Sequence, residues 1–171
     1  PLQLIQETAE LSDLMFPLDL GARGSCQIGG NVSTNAGGNR VIRFGMAREN
    51  VLGIEAVLAD GTVMSSLNVM IKNNSGYDLK QLFIGTEGTL GVITRIVLCL
   101  REIPQIQPTA FAAFDNFQQV TKFLRFVDQR LGGEISAFEV MWHDYYEVVT
   151  TAPADNIRPV PADYPLYVLI E

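Results

Sequence analysis

The residues best placed to do chemistry are main-chain groups rather than side chains. Gly24-Ser-Cys-Gln-Ile-Gly-Gly-Asn-Val-Ser-Thr-Asn-Ala-Gly-Gly-Asn39 holds five glycines and three asparagines in sixteen residues, with no charge and no proline. So much glycine predicts neither a helix nor an ordinary strand. It predicts close approach of backbone N–H and C=O groups to a large, flat or anionic ligand, since glycine lacks Cβ and accepts positive φ. Successive N–H groups in such a turn form an anion-binding concavity. Asn31 and Asn35 would either hold the irregular backbone or donate to a ligand carbonyl. A second cluster, Gly85-Thr-Glu-Gly-Thr-Leu-Gly91, carries one acid, Glu87. It would accept hydrogen bonds from a ligand hydroxyl or stabilise its own turn. The bland alternative for both clusters is a pair of glycine-rich surface turns that bind nothing.

Other chemistries find little support. No GxGxxG with a strand-turn-helix frame occurs, and no phosphate-loop pattern ending in Gly-Lys-Ser/Thr. The one histidine, His143, lacks a Ser, Cys or acid at catalytic spacing, and no group of His, Cys and carboxylates has metal-ligand spacing. Arg40, Arg43 and Arg48 are read as an anion patch or, more ordinarily, as solvated or structural side chains. Cys26 and Cys99 are too few for a disulfide framework and form no CxxC, which favours a reducing, cytoplasmic compartment. A net charge of −7 speaks against nucleic acid or an anionic membrane as partner. No apolar run reaches the roughly 18 residues of a spanning helix.

The elements that must position these groups follow from periodicity. Apolar residues at 47% and charged residues at 18% describe a folded protein rather than a disordered one. Leu2, Ile5, Leu11 and Leu14 give a rough helical face over 2–14, ended by Pro17. A short irregular or helical piece over 40–50 precedes two β-rich runs, 51–59 and 62–65, around Asp60-Gly61, a strong hairpin signal. A polar connection spans 66–78, a short segment follows over 79–84, and Val92–Leu100 reads as a well-buried strand. Ile103-Pro-Gln-Ile-Gln-Pro108 looks like a boundary. Beyond it, 109–114 predicts a strand, Asp115 an N-cap, 116–131 a helix, and Gly132-Gly133 its stop. A strand over 135–140, a helix over 142–150, a proline-marked loop over 153–165 and a strand from Leu166 complete a β-α-β-α-β pattern. The chain opens inside a helical pattern and closes inside a strand-like one, so it is expected to be a piece of a longer protein.

Four ordered motifs carry a resemblance. They are Pro17-Leu-Asp-Leu-Gly21, Gly24 to Gly38, Val51-Leu-Gly-Ile-Glu-Ala-Val-Leu-Ala-Asp-Gly-Thr-Val63, and Gly76-Tyr-Asp-Leu-Lys-Gln-Leu-Phe-Ile-Gly-Thr-Glu-Gly-Thr-Leu-Gly-Val-Ile-Thr94. Together they resemble FAD-linked oxidases of the vanillyl-alcohol oxidase type, in the D-2-hydroxyglutarate dehydrogenase and D-lactate/glycolate oxidoreductase group. Leu131 to Glu139 and Pro165 to Glu171 are similar to the 2-hydroxyglutarate branch.

The resemblance implies an α+β fold, with residues 1–105 a second FAD-binding subdomain of mostly antiparallel sheet with helices, and 109–171 the start of an α+β cap domain. It implies FAD contacts from Pro17, Gly24, Ser25, Gly29, Gly30, Thr34, Asn35, Gly37 and Gly38, with the Ser and Thr hydroxyls as donors. Glu87, Gly88, Gly91 and Ile93 would lie nearer the adenine half. No catalytic residue and no metal ligand is expected within the chain; in relatives these belong to a histidine-containing region beyond Glu171, and a further flavin subdomain lies before Pro1. Phe44 stands where relatives carry tyrosine, which removes one hydroxyl. The parent would oxidise a D-2-hydroxy acid to the 2-oxo acid with FAD and pass electrons to an unidentified acceptor, with homo-oligomerisation left open. The piece alone would be inactive and would bind FAD weakly or not at all. The rival readings are a non-catalytic nucleotide or small-molecule binding module and a purely structural domain.

Overall fold

The computed structural model describes residues 1–171 and divides between Pro104 and Gln105 into two units. In the first, helix α1 (Leu2–Glu10) leads to the short strand β1 (Leu14–Met15), which pairs antiparallel with β5 (Arg101–Glu102). The helix stops four residues earlier than its apolar spacing predicts. Asp13 adopts φ 57°, and Leu14 takes up its ladder partner Glu102, leaving Leu11 88% exposed. Pairing outweighs local helical preference here.

Helices α2 (Ile28–Ser33) and α3 (Val41–Phe44) and a 3₁₀ turn (Ala47–Asn50) precede a three-stranded antiparallel sheet. Strand β2 (Val51–Val57) lies between β3 (Val63–Ser66) and β4 (Val92–Leu98). The Asp60-Gly61 hairpin forms as its sequence predicts. Leu58 and Thr62 close the turn, and the Thr62 N–H donates to Asp60 Oδ1 at 2.9 Å. That bond, together with one from the Thr62 side chain, holds the Asp60 carboxyl below the usual carboxylate range.

The central strand supplies Val51, Ile54 and Ala56 to a core completed by Val32, Ala47, Phe83 and Ile84. Fully burying a side chain such as Ile54 contributes about 1.5–3 kcal/mol. A smaller cluster, Leu2, Phe16 and Leu18, anchors α1. Strand β4 is not the well-buried strand its composition predicts. It forms an edge of the sheet, with Val92, Thr94 and Arg95 exposed.

The second unit is a three-stranded antiparallel sheet with two helices, in which the last strand in sequence is central. Strand β6 (Ala110–Phe114) runs into α4 (Phe117–Leu131), and β7 (Phe138–Trp142) into α5 (His143–Thr150), before β8 (Leu166–Ile170) closes the sheet. The cap of α4 is Asn116 rather than Asp115: its Oδ1 accepts the Gln119 N–H at 3.0 Å. The Gln119 side chain in turn accepts the Asp115 N–H. Gly132, at φ 60°, ends the helix in the left-handed conformation. Residues 135–137 stay outside the predicted strand because Ser136 and Ala137 donate to the Glu171 carbonyl instead of a ladder partner. Val120, Leu166 and Val168 form the core of this unit. His143 Nδ1 lies 3.1 Å from the Tyr164 carbonyl, a bond that joins α5 to the segment before β8.

Candidate functional site

Six residues of the first glycine stretch, Ile28–Ser33, form α2, where glycine content predicts no helix. Packing decides this. Ile28 and Val32 stand one turn apart on the same side, Val32 fully buried in the core and Ile28 packed against it. Gly29 and Gly30 are left on a face without side chains. A Cβ built on Gly30 would meet no atom within 4 Å, and one on Gly29 would meet only the Ile93 carbonyl at 3.4 Å. The N–H groups of Ile28, Gly29 and Gly30 find no acceptor within the chain. Asn31 is 8% exposed, yet its Oδ1 has no hydrogen-bond partner.

The second glycine cluster docks on the other end of this helix. The Gly85 N–H donates to the Val32 carbonyl at 3.3 Å and the Glu87 N–H to the Ser33 carbonyl at 2.9 Å. These bonds satisfy carbonyls that a helix terminus otherwise leaves open. Two stretches separated by about fifty residues of chain thereby become one surface. Glu87 and Gly88 sit at its edge, exposed and in left-handed conformations of φ 55° and 81°. The Glu87 main chain, not its carboxylate, stabilises the turn; the carboxylate makes no hydrogen bond or ion pair. Gly91 is buried, and a Cβ there would lie 2.8 Å from the Val57 carbonyl.

The remaining predicted positions divide into exposed and structural. Gly24 and Ser25 are exposed; the Ser25 hydroxyl donates to the Ala22 carbonyl at 3.2 Å. The Thr34 hydroxyl donates to Gly30 O at 3.0 Å, with Asn31 O at 3.3 Å as the alternative. Both protons are engaged by the main chain, so these hydroxyls offer acceptor lone pairs outward, not the donors expected of them. Asn35, at φ 50°, accepts the Arg48 N–H on Oδ1 at 2.9 Å, which holds irregular backbone in place. Pro17 is fully buried. Gly37 is half-buried, and its Cβ would lie 3.1 Å from a Val41 methyl. Gly38 adopts φ +105°, and a Cβ on it would fall 1.9 Å from the Asp19 carbonyl oxygen. Its glycine is required by packing between two parts of the chain.

Arg48 proves structural: its guanidinium donates to both oxygens of Gln81 and to the Ile84 carbonyl. The Arg43 guanidinium lies 5.2 Å from the centre of the Phe44 ring. Asn31, expected to hold backbone or to donate to a ligand carbonyl, is instead left with an unpaired acceptor oxygen. Arg48 takes the structural alternative rather than the anion patch.

The donor set suits a large cofactor carrying a diphosphate and a flat ring. Unengaged N–H groups on a glycine face serve anionic or carbonyl oxygens, and the Asn31 oxygen awaits a donor. These features fit FAD.

Comparisons with known proteins agree. A family described as an FAD binding domain matches residues 1–66. The chain is 47% identical over 170 residues to the mitochondrial D-2-hydroxyglutarate dehydrogenase of Bos taurus, covering 99% of this chain and 31% of that protein. It is 52% identical over 141 residues to that of Danio rerio, covering 82% and 26%. To the D-2-hydroxyglutarate–pyruvate transhydrogenase of Saccharomyces cerevisiae it is 43% identical over 159 residues, covering 93% and 32%. The chain thus spans about a third or less of the length of these relatives. Among solved structures, an alkyldihydroxyacetonephosphate synthase superimposes with a TM-score of 0.74 at 15% identity, over 99% of this chain and 33% of that one, a likeness of fold. The mitochondrial designation of the animal and plant relatives overturns the cytoplasmic expectation. Unpaired thiols report a reducing environment and do not single out one compartment. The match to an FAD binding domain over residues 1–66 and the likeness to these dehydrogenases along nearly the whole of this chain agree: the chain is similar to FAD-linked oxidases of the D-2-hydroxyglutarate dehydrogenase group, of which it spans about a third.

Proposed function

We propose that the protein containing this chain is a mitochondrial flavoenzyme that oxidises a D-2-hydroxy acid of the 2-hydroxyglutarate, lactate or glycolate type to the 2-oxo acid. The observation that carries this reading is the surface on which Gly85 and Glu87 bond to the end of α2 beside the bare Gly29-Gly30 face. When bound there, FAD supplies a hydride acceptor, a capacity no side chain of this segment has.

The segment's own contribution is binding and orientation. Main-chain N–H groups of residues 28–30 would donate to cofactor oxygens. Gly24, Ser25, Gly29, Gly30 and Thr34 would present the approach surface, with Ser25 and Thr34 as acceptors. Glu87, Gly88, Gly91 and Ile93 would form its far wall. Pro17, Asn35, Gly37 and Gly38 would support this surface from behind. Residues 1–104 would then act as a flavin subdomain and 105–171 as the first part of a cap, with the proton-accepting base and substrate ligands supplied by the rest of the protein.

The test is the visible spectrum of the purified full-length protein. A yellow protein whose flavin band bleaches on adding D-2-hydroxyglutarate, D-lactate or glycolate, each tried separately, is the expected result. A colourless protein that takes up no FAD would refute it.

A further inference from the structure

We infer that Arg48 is a positioning residue for the cofactor surface, the clamp that fixes the spacing of the two glycine stretches. The inference rests on the flavin-binding reading and assigns a role to a residue outside the predicted contact set.

The geometry is a closed hydrogen-bonded circuit. On one side, the Arg48 N–H donates to Asn35 Oδ1 at 2.9 Å, and the neighbouring Ala47 N–H donates to the Ala36 carbonyl at 2.8 Å. Both acceptors lie in the segment that follows α2. On the other side, Nη1 donates to the Gln81 carbonyl at 3.1 Å and to Gln81 Oε1, while Nη2 donates to the Ile84 carbonyl. Ile84 precedes Gly85, whose N–H returns to Val32 in α2. A Cβ on Gly85 would lie 3.3 Å from Arg48 Nη2, a tight contact, and the backbone there has φ +84°, so glycine keeps the guanidinium's place unobstructed.

The planar fork of arginine suits this arrangement, because two nitrogens in one plane reach acceptors three residues apart. A lysine ammonium would keep the charge and lose the fork. Arg48 pairs with no carboxylate; every acceptor is a neutral oxygen. Its charge is therefore not cancelled locally, and it lies where the two glycine stretches meet.

The experiment uses the full-length protein and reads FAD affinity by fluorescence titration of the apoprotein, with the visible spectrum of the bound flavin and the apoprotein melting curve as separate readouts. Arg48→Lys is expected to weaken FAD binding by about tenfold or more, from the loss of charge-assisted bonds that fix the surface, and to alter the shape of the flavin band in the fraction that binds. Gln81→Ala, which removes the side-chain acceptor of Arg48 and an exposed bond to Asp78 Oδ2 but leaves the clamp's carbonyl contacts, is expected to produce a smaller change in the same direction. It also serves as the readable variant if Arg48→Lys fails to fold. Wild-type affinity and spectrum in both variants, or in Gln81→Ala alone when Arg48→Lys does not fold, would overturn the inference. So would a lowered apoprotein melting temperature with unchanged affinity, which marks a purely structural arginine. A wild-type protein that takes up no FAD defeats the flavin reading itself, a distinct outcome.

Discussion

Gly30→Ala separates a glycine kept for a ligand from a glycine kept for the fold. At Gly30 the backbone is helical, the residue is exposed, and an added methyl would meet nothing within 4 Å. Alanine in a helix is about 0.5–1 kcal/mol more favourable than glycine, so the apoprotein should become slightly more stable. If the cofactor lies against this face, the same methyl occupies its approach. Overpacking of that size costs about 1–3 kcal/mol, equivalent to FAD binding weaker by about 5- to 150-fold. Gly38→Ala is the opposite control. Its positive φ would cost about 1–3 kcal/mol in strain, and the 1.9 Å approach to Asp19 O would force the backbone to shift at a further cost of about 1–3 kcal/mol. Against a typical stability of about 5–15 kcal/mol, that is a large loss. Urea denaturation of the full-length apoprotein measures the first quantity, and FAD titration of the same samples the second. If Gly30→Ala raises stability and leaves FAD affinity at the wild-type value, the cofactor does not approach α2 from its bare side.

Two further perturbations test other parts of the chain. Asn116→Ala removes the side-chain cap of α4 and should lower stability by about 1 kcal/mol, seen as a reduced denaturation midpoint; Asn116→Asp should retain most of it, and equal losses from both would discount the cap. Burial pushes the Asp78 carboxyl up, but hydrogen bonds from Lys80 and Gln81 and the charge of Lys80 outweigh it, so Asp78 titrates below the usual carboxylate range. A lowered folded-state value means the ionised form stabilises the fold: the contribution is complete above the ordinary carboxylate range and is lost as pH falls through the lowered one. Asp78→Asn should then cost no more than about 1 kcal/mol at neutral pH, given its solvent exposure, and flatten the acid limb of stability against pH. Superimposable acid limbs would exclude this contribution.

Local chemistry made much of the architecture legible. Asp60-Gly61 between β-rich runs gave the hairpin, and Gly132 the end of α4, because in each case a few adjacent residues determine the backbone. The misses share a cause. Helix α1 ends early because Leu14 is taken by Glu102, 88 positions away, and β4 is an edge strand although its β-branched residues suit an interior one. Neither partner is visible from the segment itself. Moving the α4 cap from Asp115 to Asn116 changes which of two adjacent capping side chains faces the Gln119 N–H, a choice set by the register of the helix rather than by residue type.

The site teaches a sharper lesson about glycine. Composition treats Gly30 and Gly38 alike, as points where main chain approaches something. The structure separates them. Gly38 is filled by the chain's own Asp19 carbonyl, whereas Gly30 opposes nothing that the chain contains. A glycine-rich stretch therefore supports a ligand only to the extent that its glycines remain uncontacted after folding, with donors beside them left unsatisfied. By that criterion the centre of the proposed approach surface is Gly29, Gly30 and the unengaged N–H groups of residues 28–30, with the exposed rim at Glu87-Gly88. Pro17 is buried and Gly38 is filled by the Asp19 carbonyl, so both serve the fold first. Substitutions in the first set should change affinity with little effect on folding, and those in the second should change folding first.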